Sequence, residues 1–171
     1  MEKDRLNVII EALFQCGCRN LSLDIAGITR ENYEKYFPVH HEILEKLIGE
    51  DRLRFHGRLE HKAALELLKT ADFSIFYRED NRMTRAGFPT KFVESISCGV
   101  PVITTETSDL KKYLRDGRNG LVIPAPASQS QIMAALKEAS EMELPPPVDK
   151  EIFTVENYQK EMLQFLHEVG L

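Results

Sequence analysis

Residues 86–105, AGFPTKFVESISCGVPVITT, hold the side chains in this chain best suited to do chemistry. Gly87 carries no side chain to keep a ligand away from the backbone. Pro89 suits the first turn of a helix, where its missing N–H costs nothing. The amides of Thr90 and Lys91 are then free donors at the positive end of the helix dipole, and the Lys91 side chain adds a full charge. Glu94 follows one turn later, with a carboxylate able to accept hydrogen bonds from two adjacent hydroxyls. An anion site with a diol acceptor one turn away matches the diphosphate and ribose of a nucleotide. The same residues also suit an ordinary helix start, because a Glu near an N-terminus is favourable anyway. The preceding loop adds weight to the ligand reading. Between residues 78 and 91, Arg78, Arg82, Arg85 and Lys91 face Glu79 and Asp80, a local balance of +2 in a chain of net charge −5. Basic residues gathered there suit phosphate.

Such residues need a scaffold that delivers them to one crevice. Leu6, Ile9, Ile10, Leu13 and Phe14 recur at helical spacing, which predicts a helix over 3–16 ended by Gly17. LSLDIAG (21–27) reads as a strand closed by a turn. Residues 31–48 are helical in period and divided at Pro38. RLRFHG (52–57) is a strand, 61–71 a helix with Leu65 and Leu68 inward, and 72–78 a strand, followed by a polar loop over 79–88. After the 86–105 motif, whose PVITT (101–105) is a strand, 108–117 reads as a helix with Ser108 as N-cap and Gly117 as stop. GLVIP (120–124) is a strand, 129–142 a helix, LPPPVD (144–149) a stiff connector, and 154–169 a last helix capped by Thr154.

Helices alternate with short strands that look apolar throughout rather than cleanly alternating. This predicts an α/β fold: a doubly wound, mostly parallel, Rossmann-like sheet with helices on both faces. The expected organisation is a nucleotide-binding domain over 1–143, the connector over 144–149 and a C-terminal helix within 150–171. Such sheets bind ligands at the carboxyl ends of their strands, on βα loops, which is where the 86–105 motif lies.

Composition narrows the classes. A chain of 171 residues suits one domain with a real core. Its 22 basic and 27 acidic residues exclude a general polyanion binder and give nucleic acid no global attraction. Cys16, Cys18 and Cys98 lack the paired Cys or His partners of a zinc site and read as reduced thiols. No apolar run approaches a membrane span and no signal peptide opens the chain, so a soluble, cytoplasmic protein is expected. His40 and His41 would point about 100° apart on a helix and cannot clamp one metal. His56 and His61 fall on the ligand side of the sheet; His56 is within reach of the crevice, but a satisfied surface imidazole is its simpler role. No Gly-x-Ser-x-Gly turn, P-loop or Gly-x-Gly-x-x-Gly occurs. Phe73, Ile75, Val102, Ile103, Val122 and Ile123 are expected in the core.

Taken together, ADFSIFYR and AGFPTKFVESISCGVPVITTETSDLKKYLRDGRNGLVIP resemble the C-terminal, donor-binding domain of the retaining GT-B glycosyltransferases of family 4, the glycosyl transferases group 1. Members carry a Gly-Phe-x-x-Pro or Gly-x-Pro-x-Lys turn, a Glu on the next helix, Gly-x-Pro-Val-Ile, and an Asp-Gly-x-Asn-Gly, here Asp116 to Gly120. The likeness runs from about residue 5 to residue 123, and more loosely to the end.

The resemblance implies transfer of a sugar from a nucleotide diphosphate donor to a glycan or lipid-linked acceptor, as in polysaccharide biosynthesis. Neither a cofactor beyond that donor nor a metal is expected. By position, Glu94 takes the ribose hydroxyls, Thr90 and Lys91 the diphosphate or donor sugar, and Gly57 and Arg58 the base. Gly87 and Phe88 belong to the donor turn. Lys91, Arg85 and Arg78 would neutralise the leaving diphosphate, which is the catalytic role. The family's first Glu of a Glu-x7-Glu pair falls on Ala86, which bears on sugar identity. Two rivals stay open: a GT-B-like nucleotide-sugar epimerase, and a non-catalytic partner subunit, for which Ala86 speaks.

Family domains also open with a strand and a basic loop, whereas this sequence begins almost at the helix with Glu2-Lys3-Asp4-Arg5. The resemblance therefore implies an excised domain without that mid-sheet strand and without the N-terminal acceptor domain. It would bind nucleotide weakly and transfer no sugar alone, with Lys3 or Arg5 as a remnant of the basic loop. The full-length enzyme would be cytoplasmic and peripheral at the inner face of the membrane.

Overall fold

Apolar residues at three- and four-residue spacing turn one face of the first helix, α1 (Leu6–Gln15), inward through Ile9, Ile10, Ala12 and Leu13. The computed structural model describes residues 4–169; Lys3 lies outside the described residues. After α1 come β1 (Leu23–Ala26), α2 (Arg30–Tyr36), a 3₁₀ turn at Pro38–His40 and α3 (His41–Gly49). Pro38 thus divides the 31–48 stretch as its chemistry demands. The chain continues through β2 (Leu53–Gly57), α4 (His61–Lys69), β3 (Ser74–Phe76), α5 (Arg82–Arg85), α6 (Thr90–Cys98) and β4 (Val102–Thr105). It ends with β5 (Gly120–Ile123), α7 (Gln129–Glu141) and α8 (Val155–Glu168).

Every strand pairing is parallel, and the fold is α/β with helices wrapped on parallel strands. The strands form two sheets, β1-β2 and β3-β4-β5. Among the described residues no strand pairing joins them, so β1 and β3 each pair on one side only. One core nevertheless spans both: Ile25 and Leu53 come from the first sheet, Ile103, Leu121 and Ile123 from the second. Buried side chains of α1 and α7 close it, and the two helices pack on each other.

The two sheets differ in burial. All four residues of β4 are buried, as a strand covered on both faces requires. In contrast, β1 and β2 alternate: Ile25 and Leu53 are buried, whereas Asp24, Ala26, Arg54 and His56 are exposed. The expectation of uniformly apolar strands fails there. Asp24 sits 2.7 Å from His56 Nε2 and 3.5 Å from Arg54 on that open face, so its polar residues neutralise one another.

Three local expectations need correction. The loop over 79–88 holds a helical turn, α5, because Asn81 accepts hydrogen bonds from the Met83 and Thr84 amides and caps it. Ser108 is not an N-cap: its φ of 56° is left-handed, and Thr107, in extended conformation, precedes a 3₁₀ helix over Ser108–Lys112. The helix α4 buries none of its residues fully; Leu65 and Leu68 are half-buried.

A second core gathers Phe76, Phe92, Ile96, Val102, Leu110 and Leu114. The C-terminal segment completes it. Phe153 packs within 5.0–5.9 Å of the rings of Phe88, Phe92 and Tyr113, close enough for favourable edge contacts.

Candidate functional site

The site begins where β3 ends. Phe76 and Tyr77 are buried, and the next residue, Arg78, has a side chain only 7% exposed. Its guanidinium carbon lies 5.4 Å from the centre of the Phe76 ring, a cation–π contact that compensates part of its desolvation. Thr105, at the end of the neighbouring β4, hydrogen-bonds the Arg78 backbone at both its amide and its carbonyl.

The basic loop then folds on itself. Thr84 donates its hydroxyl to the Glu79 carbonyl at 2.6 Å, and its Oγ1 accepts from the Asn81 amide at 3.0 Å. Arg85 is gripped by Asp80 through both carboxylate oxygens, at 2.5 and 2.7 Å. Arg5 meets Glu79 at 2.5 Å. Asp80 and Glu79 border a cleft of about 400 Å³ that Tyr77, Ala127 and Gln129 also line.

Next comes α6, with Pro89 as its N-cap rather than its first helical residue. Phe92 N–H bonds the Pro89 carbonyl at 3.0 Å, while the Thr90 and Lys91 amides precede any intrahelical acceptor. Lys91 and Arg78 converge. Lys91 Nζ lies 2.5 Å from Asp4 Oδ2, and Arg78 Nε lies 3.1 Å from Asp4 Oδ1. Burial opposes ionisation of Asp4, but the hydrogen bonds and charges of Lys91 and Arg78 outweigh it and hold the carboxyl below its ordinary range.

Glu94 lies further along the same helix, half-exposed, with its Oε1 3.5 Å from His61 Nε2. His61 opens α4, just past the loop that begins at Gly57 and the exposed Arg58. Gly87 is exposed, and an added Cβ there would meet nothing within 4 Å. Phe88 turns away from the loop into the ring cluster with Phe92, Tyr113 and Phe153, so its side chain holds the turn. Ala86 closes α5 as its C-cap.

Thus the fold brings Arg78, Lys91 and the start of α6 together, puts Glu94 one turn further along that helix against His61, and keeps Arg85 in a separate pair. Three further residues belong to the site. Asp4 joins it through contacts 74 and 87 residues long, which no local pattern signals. Thr105 closes β4 and His61 opens α4, positions to which the rule that ligands gather at strand carboxyl ends points. Among the described residues no group of His, Cys, Asp and Glu could hold a metal ion. Among the described residues no helix is long and apolar enough to cross a membrane.

Residues 2–152 match the family model described as glycosyl transferases group 1. No curated protein sequence matches the chain. Among solved structures, it is similar to Anabaena Alr3699/HepE in complex with UDP and glucose, with a TM-score of 0.67 and 18% identity, over 98% of this chain and 46% of that one. It is also similar to a GtfA/B complex, with a TM-score of 0.69 and 18% identity, over 99% of this chain and 34% of that one. A third similar structure is WaaG, a glycosyltransferase involved in lipopolysaccharide biosynthesis, with a TM-score of 0.61 and 24% identity, over 82% of this chain and 35% of that one. The chain therefore spans less than half the length of these proteins.

Proposed function

The chain belongs to the glycosyl transferases group 1 family, and from that premise we propose that it binds a nucleotide diphosphate sugar at the start of α6. The observation that carries this reading is the convergence of Arg78 and Lys91 on one carboxylate at that helix start. Two cations and free amides suit a diphosphate, whose negative charge grows as the sugar departs. Glu94 takes the ribose hydroxyls, and the Gly57–Arg58 backbone meets the base. Holding the donor at both ends also fixes the sugar in line for attack.

The finer reading is a retaining, family 4 hexosyltransferase that acts on a glycan or lipid-linked acceptor, the latter at the inner face of the membrane. The residue likeness over the donor turn supports it. A preceding domain outside these 171 residues would supply the acceptor wall, in keeping with the share of each similar structure that the chain spans. On this reading the 171 residues alone bind donor but transfer no sugar.

Calorimetry with UDP tests the donor site. Glu94→Ala is expected to weaken UDP by roughly 2–4 kcal/mol through lost hydrogen bonds to the diol, with an unchanged melting temperature. Unchanged UDP affinity in a folded variant would overturn the ribose assignment. Turnover of labelled donor by the chain alone, against a version extended at its N-terminus, tests the transfer reading.

A further inference from the structure

The two cations that a diphosphate needs are already engaged by the chain itself. One carboxylate, that of Asp4, places one oxygen on Arg78 Nε and the other on Lys91 Nζ, as two phosphate oxygens would. The pairing is tertiary and sheltered on the Arg78 side: the side chains of Asp4 and Arg78 are 25% and 7% exposed, whereas that of Lys91 is 54% exposed. Among the described residues neither cation has a second acidic partner.

The neighbouring backbone shows what holds Asp4 there. Arg5 has φ 43° and ψ 46°, a left-handed conformation that a residue with a side chain adopts at a cost. Ion pairs brace it on both sides, Asp4 to Arg78 and Lys91, and Arg5 to Glu79. A phosphate bound through these same N–H groups displaces the carboxylate, and one bound through the remaining donors of Arg78 and Lys91 meets its negative charge at close range.

We propose that Asp4 is a resident competitor at the donor site, lowering its affinity for every ligand that brings a phosphate to Arg78 and Lys91. This rests on the diphosphate reading of those two residues. A displaced internal group taxes each competing ligand by the same factor, because the cost of leaving belongs to the protein and not to the ligand.

Calorimetry on the whole chain, wild type and Asp4→Asn, with inorganic pyrophosphate, UDP and uridine as probes, distinguishes the possibilities. The expected result is that Asp4→Asn tightens pyrophosphate and UDP by a common factor of about five or more and leaves uridine unchanged. Asp4→Glu, which keeps the charge, should tighten neither. Asp4→Ser serves as a second neutral variant should Asp4→Asn fold poorly. If wild type binds UDP and the neutral variants bind it equally or more weakly, Asp4 orders the cations instead of competing, and the proposal falls while the nucleotide reading stands. If folded wild type and folded variants all ignore both UDP and pyrophosphate, the nucleotide reading fails and the competitor with it.

Discussion

The Thr105 hydroxyl clasps the Arg78 backbone, donating to its carbonyl at 2.7 Å and accepting from its amide at 3.1 Å. Both residues are buried, one closing β4 and the other following β3. The clasp thus decides where the guanidinium leaves the sheet. Thr105→Val keeps the shape but leaves a buried amide and carbonyl without this partner, at an expected cost of about 1–3 kcal/mol. Thr105→Ser keeps the hydroxyl and should recover most of that loss. Urea denaturation measures both, and a Val variant as stable as wild type would show that the clasp contributes nothing.

Arg85 and Lys91 should not contribute equally to phosphate binding. Arg85 and Asp80 form a neutral, bidentate pair, with the Arg85 side chain 64% exposed. Arg78 and Lys91 instead set two positive charges against the single charge of Asp4, at a helix start that adds its own dipole. Lys91→Ala is expected to weaken UDP about tenfold or more and to flatten its salt dependence. Arg85→Ala should do much less of both. Titrations at two ionic strengths give the comparison, and equal losses would put Arg85 back in the site.

Much of this architecture is legible in the residues. The spacing of Ile9, Ile10 and Leu13 marks the inward face of α1, and Pro38 marks a break. Asp-Gly-Arg-Asn-Gly reads as a stop before a strand, and its side chains do build one. Asp116 accepts from the Val122 amide at 2.8 Å, and Asn119 accepts from the Arg115 amide at 2.7 Å. What could not be read is what depends on distant partners. Three or four residues of a strand do not name their neighbour, so the division into two sheets is invisible in LDIA or SIF. The open face of β1 and β2 was within reach, since Asp24, Arg54 and His56 occupy alternate positions. Phe88 looks like part of a polar ligand turn until Phe153, from the C-terminal segment, packs on it. Asp4 is a clearer case still: nothing beside it suggests that its partners lie beyond β3.

The Asp4 pair also makes stability depend on pH in a definite direction. Lys91 and Arg78 hold the folded carboxyl below the ordinary 3.8 despite the opposing effect of burial. The unfolded chain then takes up the proton first as pH falls, so stability rises with pH through this window. The contribution is complete above the unfolded value and is lost as pH falls through the lowered folded one. The stability gap between wild type and Asp4→Asn should therefore be flat above about pH 5 and shrink below about pH 4. Chemical denaturation across that range checks it. A gap that grew on acidification would reverse the sign and the assignment.

Gly87 and Gly120 should respond to the same substitution in opposite ways. At Gly120 an added Cβ would lie 2.2 Å from the Val102 carbonyl oxygen and 2.8 Å from Leu114 Cδ1. Val102 is its register partner on β4, so the obstacle is backbone held by the sheet and cannot swing aside. Gly120→Ala is expected to destabilise the domain by about 3 kcal/mol or more, or to prevent folding. At Gly87 the same Cβ meets nothing within 4 Å, and φ is not left-handed there, so Gly87→Ala should leave the melting temperature unchanged. If a donor approaches this backbone closely, the new methyl group lies in its path, and UDP-sugar affinity should fall while stability does not. Thermal melts with and without UDP-glucose separate the two effects. A Gly87→Ala variant that melts normally and binds UDP-glucose as tightly as wild type would remove Gly87 from the donor site.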